Sequence, residues 1–198
     1  MMPYQVRPLR REDIPRLTEI NPTFTAQTVL RISRTGASPF QGWHLEEIPR
    51  QTPFHKGRAY DFDAQERAHI NRRHAQAIHL QEVVEDPAKG KLVGILDVEY
   101  ESWRHTAWIW NLMLDVNTRG RGLGRLLFQH TLAWSRQHGL RAILLETQSN
   151  NTPACRFYAH LGFQLVGVHD IFYTNDDRQR EEVALFWAYT LTPSDATR

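Results

Sequence analysis

The chain is short of the residues that cross-link or anchor a protein. Its 198 residues include one cysteine, Cys155, which excludes an intramolecular disulfide and fits a reducing compartment. No apolar run approaches the roughly 18 residues of a membrane span. The opening Met1-Met2-Pro3-Tyr4-Gln5-Val6-Arg7 meets a charge within a few residues and has no apolar signal core. A soluble, cytoplasmic protein without a membrane partner is expected. Dense basic runs are missing as well. With 24 Lys+Arg against 22 Asp+Glu, the electrostatic footprint for nucleic acid is small, and no such partner is expected. The ten histidines form no His-x-x-x-His pair. His69, His74 and His79 are spaced by five, which suits neither one helix face nor the usual zinc pairs, so no metal is expected.

What is present is ample apolar volume: 41% hydrophobic residues, with six Trp and nine Phe, enough for one core over residues 1–198. Tyr4–Leu9 reads as a short strand and Arg11–Ile20 as a helix opening on Glu12 and Asp13. Residues 21–75 are broken by Pro22, Pro39, Pro49 and Pro53 and read as an irregular or helical elaboration over an acceptor site. Within it, Phe24–Arg34 and Asp61–Gln76 are predicted helices. The rest is clearer. Ala77–Val84 and Leu92–Tyr100 form a hairpin, and the nearly all-apolar Ala107–Asp115 is a central strand. Gly122–His138 is a helix and Ala142–Glu146 a buried strand. Pro153–Leu161 is a short helix, and Phe163–Tyr173 pairs with Glu181–Leu191. The strands flanking Gly122–His138 should be parallel, because a strand–helix–strand crossover joins them, and the others antiparallel. The class is α/β (α+β), a mostly antiparallel sheet of about seven strands flanked by helices.

The segment Val116-Asn117-Thr118-Arg119-Gly120-Arg121-Gly122-Leu123-Gly124-Arg125 lies between a strand and a helix. Glycines let successive N–H groups turn toward one point, the helix adds its positive dipole end, and three arginines add charge. A polyphosphate ligand is expected. The P-loop string Gly-x-x-x-x-Gly-Lys-Ser/Thr is absent. A dinucleotide fingerprint is mimicked by Gly120, Gly122 and Gly124 with Glu146 downstream. Its third glycine is one residue early, however, and several strands precede it.

Arg119-x-x-Gly122-x-Gly124 resembles the coenzyme A pyrophosphate loop of the GNAT superfamily of N-acetyltransferases. It is followed by Leu144-Leu145-Glu146-Thr147 and by Asn151-x-x-Ala154-x-x-Phe157-Tyr158-x-x-x-Gly162-Phe163, in the superfamily's order. Within the superfamily, several strings look like those of streptothricin acetyltransferases. They are Leu145-Glu146-Thr147-Gln148, Asn150-Asn151, Ala154-Cys155-x-Phe157-Tyr158, Asp170 with Tyr173, and Val183-Ala184-Leu185-Phe186-Trp187. One departure bears on specificity: where the resemblance implies adjacent acidic residues in the central strand, this chain has Trp110 and Asn111.

The resemblance implies a GNAT fold, with a parallel strand pair splayed at the coenzyme site, and acetyl-CoA as cosubstrate. It places the pantetheine arm along Leu112, Met113 and Leu114, where an amide near Met113 polarises the thioester carbonyl. The pyrophosphate falls on Arg119, Gly120, Arg121, Gly122, Leu123, Gly124 and Arg125. Tyr158 matches the acid that protonates the leaving thiolate, or it is a helix tyrosine packed on the sheet. Asn151 matches a coenzyme contact, or it caps the turn before Pro153; both roles are compatible. An alkylammonium of pKa near 10.4 is neutral in only about one molecule in 2,500 at pH 7, so a base is required. Glu146 is the first candidate, directly or through water, with a purely structural acceptor as the other reading. Trp110 and Asn111 fall at the acceptor.

Asp97, Glu99 and Glu101 alternate and share one sheet face, which reads as a solvated face or as one that attracts a cationic amine, the solvated face being preferred. Trp103, Trp108 and Trp110 read as core before they read as the wall of an acceptor pocket, although Trp108 and Trp110 share a face and one can do both; Cys155 reads as a small buried hydrophobe. The expected activity is transfer of an acetyl group to a small-molecule primary amine, by a monomer or homodimer, with aminoglycoside- and streptothricin-like antibiotics among the candidate acceptors. A coenzyme A-binding sensor without turnover and a peptide N-acetyltransferase are the alternatives.

Overall fold

The structure, a computed structural model, describes residues 4–37, 39–40, 42–57 and 62–191. Its strands are β1 (Gln5–Pro8), β2 (Phe24–Thr35), β3 (Gly42–Lys56), β4 (His79–Asp86), β5 (Lys91–Glu101), β6 (Thr106–Leu114), β7 (Ala142–Gln148), β8 (Gln164–His169) and β9 (Ala184–Thr190). The α-helices are α1 (Ala64–His74), α2 (Leu123–Gln137) and α3 (Thr152–Leu161). Seven strands form one sheet in the order β1-β4-β5-β6-β7-β9-β8, and β2 with β3 forms a separate two-stranded sheet. β6 and β7 are the parallel pair, as their crossover through α2 requires. The expected mixed sheet is therefore present, and β6 is central in it.

The chain folds as two compact units, each assembled from separate segments. One comprises Met1–Thr23, Gly57–Ile143 and Thr190–Arg198; the other comprises Phe24–Lys56 and Leu144–Tyr189.

In the first unit, β5 is buried on both faces over Leu92–Val98, as an interior strand must be. Its core gathers Leu9, Ile14, Leu17, Ile20, Phe62, Ile70, Val83, Leu92 and Ile95. The predicted helix at Arg11–Ile20 is a 3-10 helix over Arg11–Glu19 with Pro15 inside it. Asp13, buried there, accepts from the Arg7 guanidinium at 2.6 and 2.9 Å and from the Arg10 N–H at 2.9 Å. The arginine holds its carboxyl below the usual carboxylate range against the opposing effect of burial. Asp63 caps α1 by accepting from the Glu66 N–H at 2.8 Å. This is the helix expected near Asp61–Gln76, although Asp61 itself lies outside the described residues. α2 turns Leu123, Leu127, Phe128 and Thr131 inward, a spacing of three and four that draws one apolar stripe.

The second unit corrects one expectation. Phe24–Arg34 is not a helix but most of β2, paired antiparallel with β3 through Phe24↔Lys56 to Thr35↔Gly42. Its residues Thr25, Thr28, Val29 and Ile32 are β-branched and lose rotamer freedom in a helix, whereas Phe24, Ala26, Val29 and Ile32 are buried in the strand. Among the described residues of 21–75, β2 and β3 form an antiparallel pair and α1 is the helical part, so the stretch expected to be irregular or helical is strand over Phe24–Thr35 and Gly42–Lys56 and helix over Ala64–His74. In the same unit α3 starts with Pro153 in its first turn and stops at Gly162, φ +97°.

Candidate active site

The Gly-rich turn belongs to the first unit. Gly120 and Gly122 have φ of +74° and +81°, the left-handed region that an L side chain enters only with strain, and a Cβ built on either meets nothing within 4 Å. Gly122 is the N-cap of α2, and no side chain caps that helix start. The first N–H groups of α2 therefore lie on an unobstructed face beside the helix's positive end, with exposed Arg121 and Arg125 near it. A helix start of this kind, with free N–H groups and no capping side chain, can hold an anion. Arg119 is placed differently from its neighbours. Its guanidinium donates to the carbonyls of Pro22 (2.8 Å), Thr23 (2.8 Å) and Leu114 (3.1 and 3.2 Å), so it braces the turn against the chain that precedes β2.

Leu112, Met113 and Leu114 end β6, paired with Leu96, Ile95 and Gly94 of β5. The register shifts between Asp97↔Asn111 and Val98↔Ile109, leaving Trp110 as an extra residue on β6. Such a bulge bends the strand and re-aims the side chain it carries. Trp110 is half exposed, with its indole N–H on Glu99 at 2.7 Å and the Arg73 guanidinium 5.0 Å from its ring centre. Asn111 is buried, and its amide donates to Glu66 (2.8 Å) and Asp97 (3.4 Å).

Asp97 is the centre of that cluster. It is wholly enclosed, its Oδ1 taken by Gln81 at 2.8 Å and its Oδ2 by Arg73 Nε at 2.8 Å. The face carrying Asp97, Glu99 and Glu101 is therefore not uniformly solvated. Nor are all three tryptophans core, since Trp103 is 80% and Trp110 50% exposed.

The second unit holds the other expected groups. Glu146 is partly buried on β7 and receives a hydrogen bond from the Tyr173 hydroxyl. Burial raises its carboxyl to about 7; the Tyr173 bond and the Lys56 charge oppose the rise, and the Glu182 charge adds to it. Tyr158 is buried on α3, its ring edge-on to Phe157 (5.2 Å) and Phe163 (5.5 Å). Burial pushes its phenol well above the ordinary tyrosine value. Cys155 is buried too, its thiol raised to about 11 chiefly by the same cause, with Thr147 at 3.5 Å. Asn151 caps α3 by accepting from the Ala154 N–H at 3.2 Å. The cap reading is thus realised, with the side-chain amide nitrogen left over for other work. A cavity of about 400 Å³ is lined by Arg31, Ile48, Arg50, Thr52 and Glu181 among others, but by neither Glu146 nor Tyr158.

Residue-by-residue reading of the sequence missed Arg73, Glu66 and Gln81 around Asp97, and it met Tyr173 only inside a family string. The available signal for Tyr173 was an apolar run, Ile171-Phe172-Tyr173, in an otherwise polar connection, because exposed aromatics in loops often serve a site.

A strand that runs into a glycine turn with positive φ and an uncapped helix start is the local arrangement in which a fold can hold a polyphosphate-bearing coenzyme. A family model described as "Acetyltransferase (GNAT) family" matches residues 42–163, and the chain belongs to that family as an acetyl-CoA-dependent acetyltransferase. Among individual relatives it is 27% identical over 175 residues to a streptothricin acetyltransferase of Streptomyces lavendulae, covering 86% of each chain. It superposes on the crystal structure of nourseothricin acetyltransferase with a TM-score of 0.79 at 25% identity, over 96% of this chain and 100% of that one. A Bacillus anthracis structure shares the fold at 22% identity and TM-score 0.73, over 95% of this chain and 99% of that one. Among the described residues no helix is long and apolar enough to cross a membrane.

Proposed function

We propose that the chain moves the acetyl group of acetyl-CoA to a primary amine of a small molecule by direct attack in a ternary complex, with streptothricin-like polyamines as the acceptor class. The observation that carries this reading is Glu146, a carboxyl raised to about 7 in a family whose reaction needs a base near neutrality. The names of the relatives favour the acceptor class, and the Bacillus anthracis structure was determined in complex with acetyl coenzyme A.

The uncapped start of α2 and the N–H groups of Gly120–Gly124 take the diphosphate, aided by Arg121 and Arg125 and braced by Arg119. The backbone of Leu112–Leu114 takes the pantetheine arm, and the amide near Met113 polarises the thioester carbonyl. Asn151 adds its free amide to the coenzyme. The amine nitrogen bonds to the acetyl carbon as the carbon–sulfur bond breaks. Its proton goes to Glu146, directly or through one water, and Tyr158 gives a proton to the departing sulfur. Tyr158 is protonated at neutral pH, as a phenol ordinarily is, and burial raises it further, so it starts in the form an acid needs. No acetyl-enzyme is needed, and the sole cysteine is buried with a raised thiol. Trp110 offers its exposed face to the acceptor, while Asn111 behind it fixes Glu66.

Thiol release from acetyl-CoA with a panel of streptothricin, spermidine, an aminoglycoside and a peptide N-terminus tests this. The expected result is amine-dependent release, greatest with streptothricin, and initial-rate lines that intersect. Release that no amine raises would favour a coenzyme sensor, and parallel lines would favour a covalent intermediate. Tyr158→Phe should lower turnover about a hundredfold with coenzyme affinity near normal.

A further inference from the structure

We infer that Tyr173 is a positioning residue for Glu146, its phenol oriented by Gln148 so that its proton points at the carboxylate and keeps the base ionised at lower pH. This rests on the reading of Glu146 as base. Glu146 and Gln148 are two residues apart on β7, so their side chains leave the same face of the strand. Both reach one phenol. The Gln148 amide nitrogen, a donor only, gives its hydrogen to the Tyr173 oxygen at 3.1 Å, which leaves the tyrosine's single proton for Glu146. The direction of the chain Gln148→Tyr173→Glu146 is therefore set by donor chemistry.

The backbone that carries the phenol is held in place. Asp177, 1% exposed, accepts from the Tyr173 N–H at 2.9 Å and from the Thr174 N–H and hydroxyl at 2.7 Å each, which locks the connection between β8 and β9. The Phe172 ring stands edge-on to Tyr173 (5.1 Å) and to Phe186 of β9 (5.6 Å). Such over-determination suits an aligning group more than a surface aromatic.

Other charged or titratable groups face Glu146 from three sides. Glu182, just before β9, opposes its ionisation; Lys56, at the end of β3, favours it while also pairing with Glu182. Cys155 and Tyr158 of α3 complete the set; the Glu146 charge helps hold both in their neutral forms. Of these groups, Tyr173 is the one that donates a hydrogen bond to the carboxylate, and a donor to the charged form lowers the pKa.

The test is the pH profile of kcat/KM for the full chain, with streptothricin as acceptor, in wild type, Tyr173→Phe, Gln148→Met and Glu146→Gln. Wild type should lose activity below a midpoint near 7. Tyr173→Phe should move that midpoint up by about one pH unit or more, with activity recovered at alkaline pH and KM for acetyl-CoA unchanged. Gln148→Met should shift it the same way by less. Uniform loss at all pH with an unmoved midpoint in Tyr173→Phe, or in Gln148→Met should the first variant not fold, overturns the assignment. Glu146→Gln should abolish the limb itself. A limb retained there would remove the base reading instead, so the two failures are distinguishable.

Discussion

Two shielded carboxylates, one in each compact unit, have opposite surroundings. Asp97 is sealed beneath α1 and meets a guanidinium, a glutamine amide and an asparagine amide. Glu146 is less enclosed and receives a phenol, while the nearest ammonium, on Lys56, is engaged with Glu182. A buried carboxylate with a cation on one oxygen and an amide on the other is held in one geometry, and that is the part the Asp97 cluster plays. A carboxylate desolvated without its own cation keeps a proton affinity near neutrality, which is what proton transfer needs. Burial alone therefore does not mark a reactive acid; the charge of its partners does.

That contrast is sharpest in turnover. Glu146→Gln should lower kcat/KM by about 10²- to 10⁴-fold in steady-state assays while leaving the thermal midpoint equal or higher, because a desolvated carboxyl is removed. A large drop in melting temperature would make Glu146 structural and erase the distinction. Arg73→Met should do the reverse, costing about 3–5 kcal/mol in denaturant unfolding, since Asp97 would be left enclosed without its cation. A cost under about 1 kcal/mol would mean that water reaches Asp97. The smallest effect belongs to Asn151→Ala, with about 1 kcal/mol lost from the α3 cap. A larger rise in KM for acetyl-CoA than in the unfolding free energy would show that its amide also serves the coenzyme.

pH separates Glu146 from another paired carboxylate of the first unit, Asp13. A carboxyl raised to about 7 favours the protonated fold, so Glu146 withdraws stability as pH rises from its unfolded value through 7, while activity rises over that interval. Asp13, held low by Arg7, contributes stability that is present above its unfolded value and lost as pH falls through its folded one. Acid unfolding should therefore begin well below the activity limb.

Several parts of this molecule are legible from neighbouring residues alone. The glycine turn, the Pro153 start and Gly162 stop of α3, and the hairpin of β4 and β5 are local, and the structure has them close to where the sequence places them. The hairpin β2–β3 was hidden because Pro49 and Pro53 interrupt it, and proline is a poor strand residue. Pro49 pairs with Thr28 beside a register shift in a two-stranded sheet, the edge and bulge settings in which a strand tolerates proline. Asp97 misled for a different reason. Alternation tells which face a side chain takes, but not that Arg73, 24 positions earlier, waits on that face.

The family and the glycine turn can be read from neighbouring residues alone, because φ at glycine and helix caps are set by residues a few positions apart. That the Glu146 carboxyl is raised toward neutrality follows from packing, because its free energy of ionisation depends on desolvation and on Tyr173, Glu182 and Lys56, brought in from distant positions along the chain.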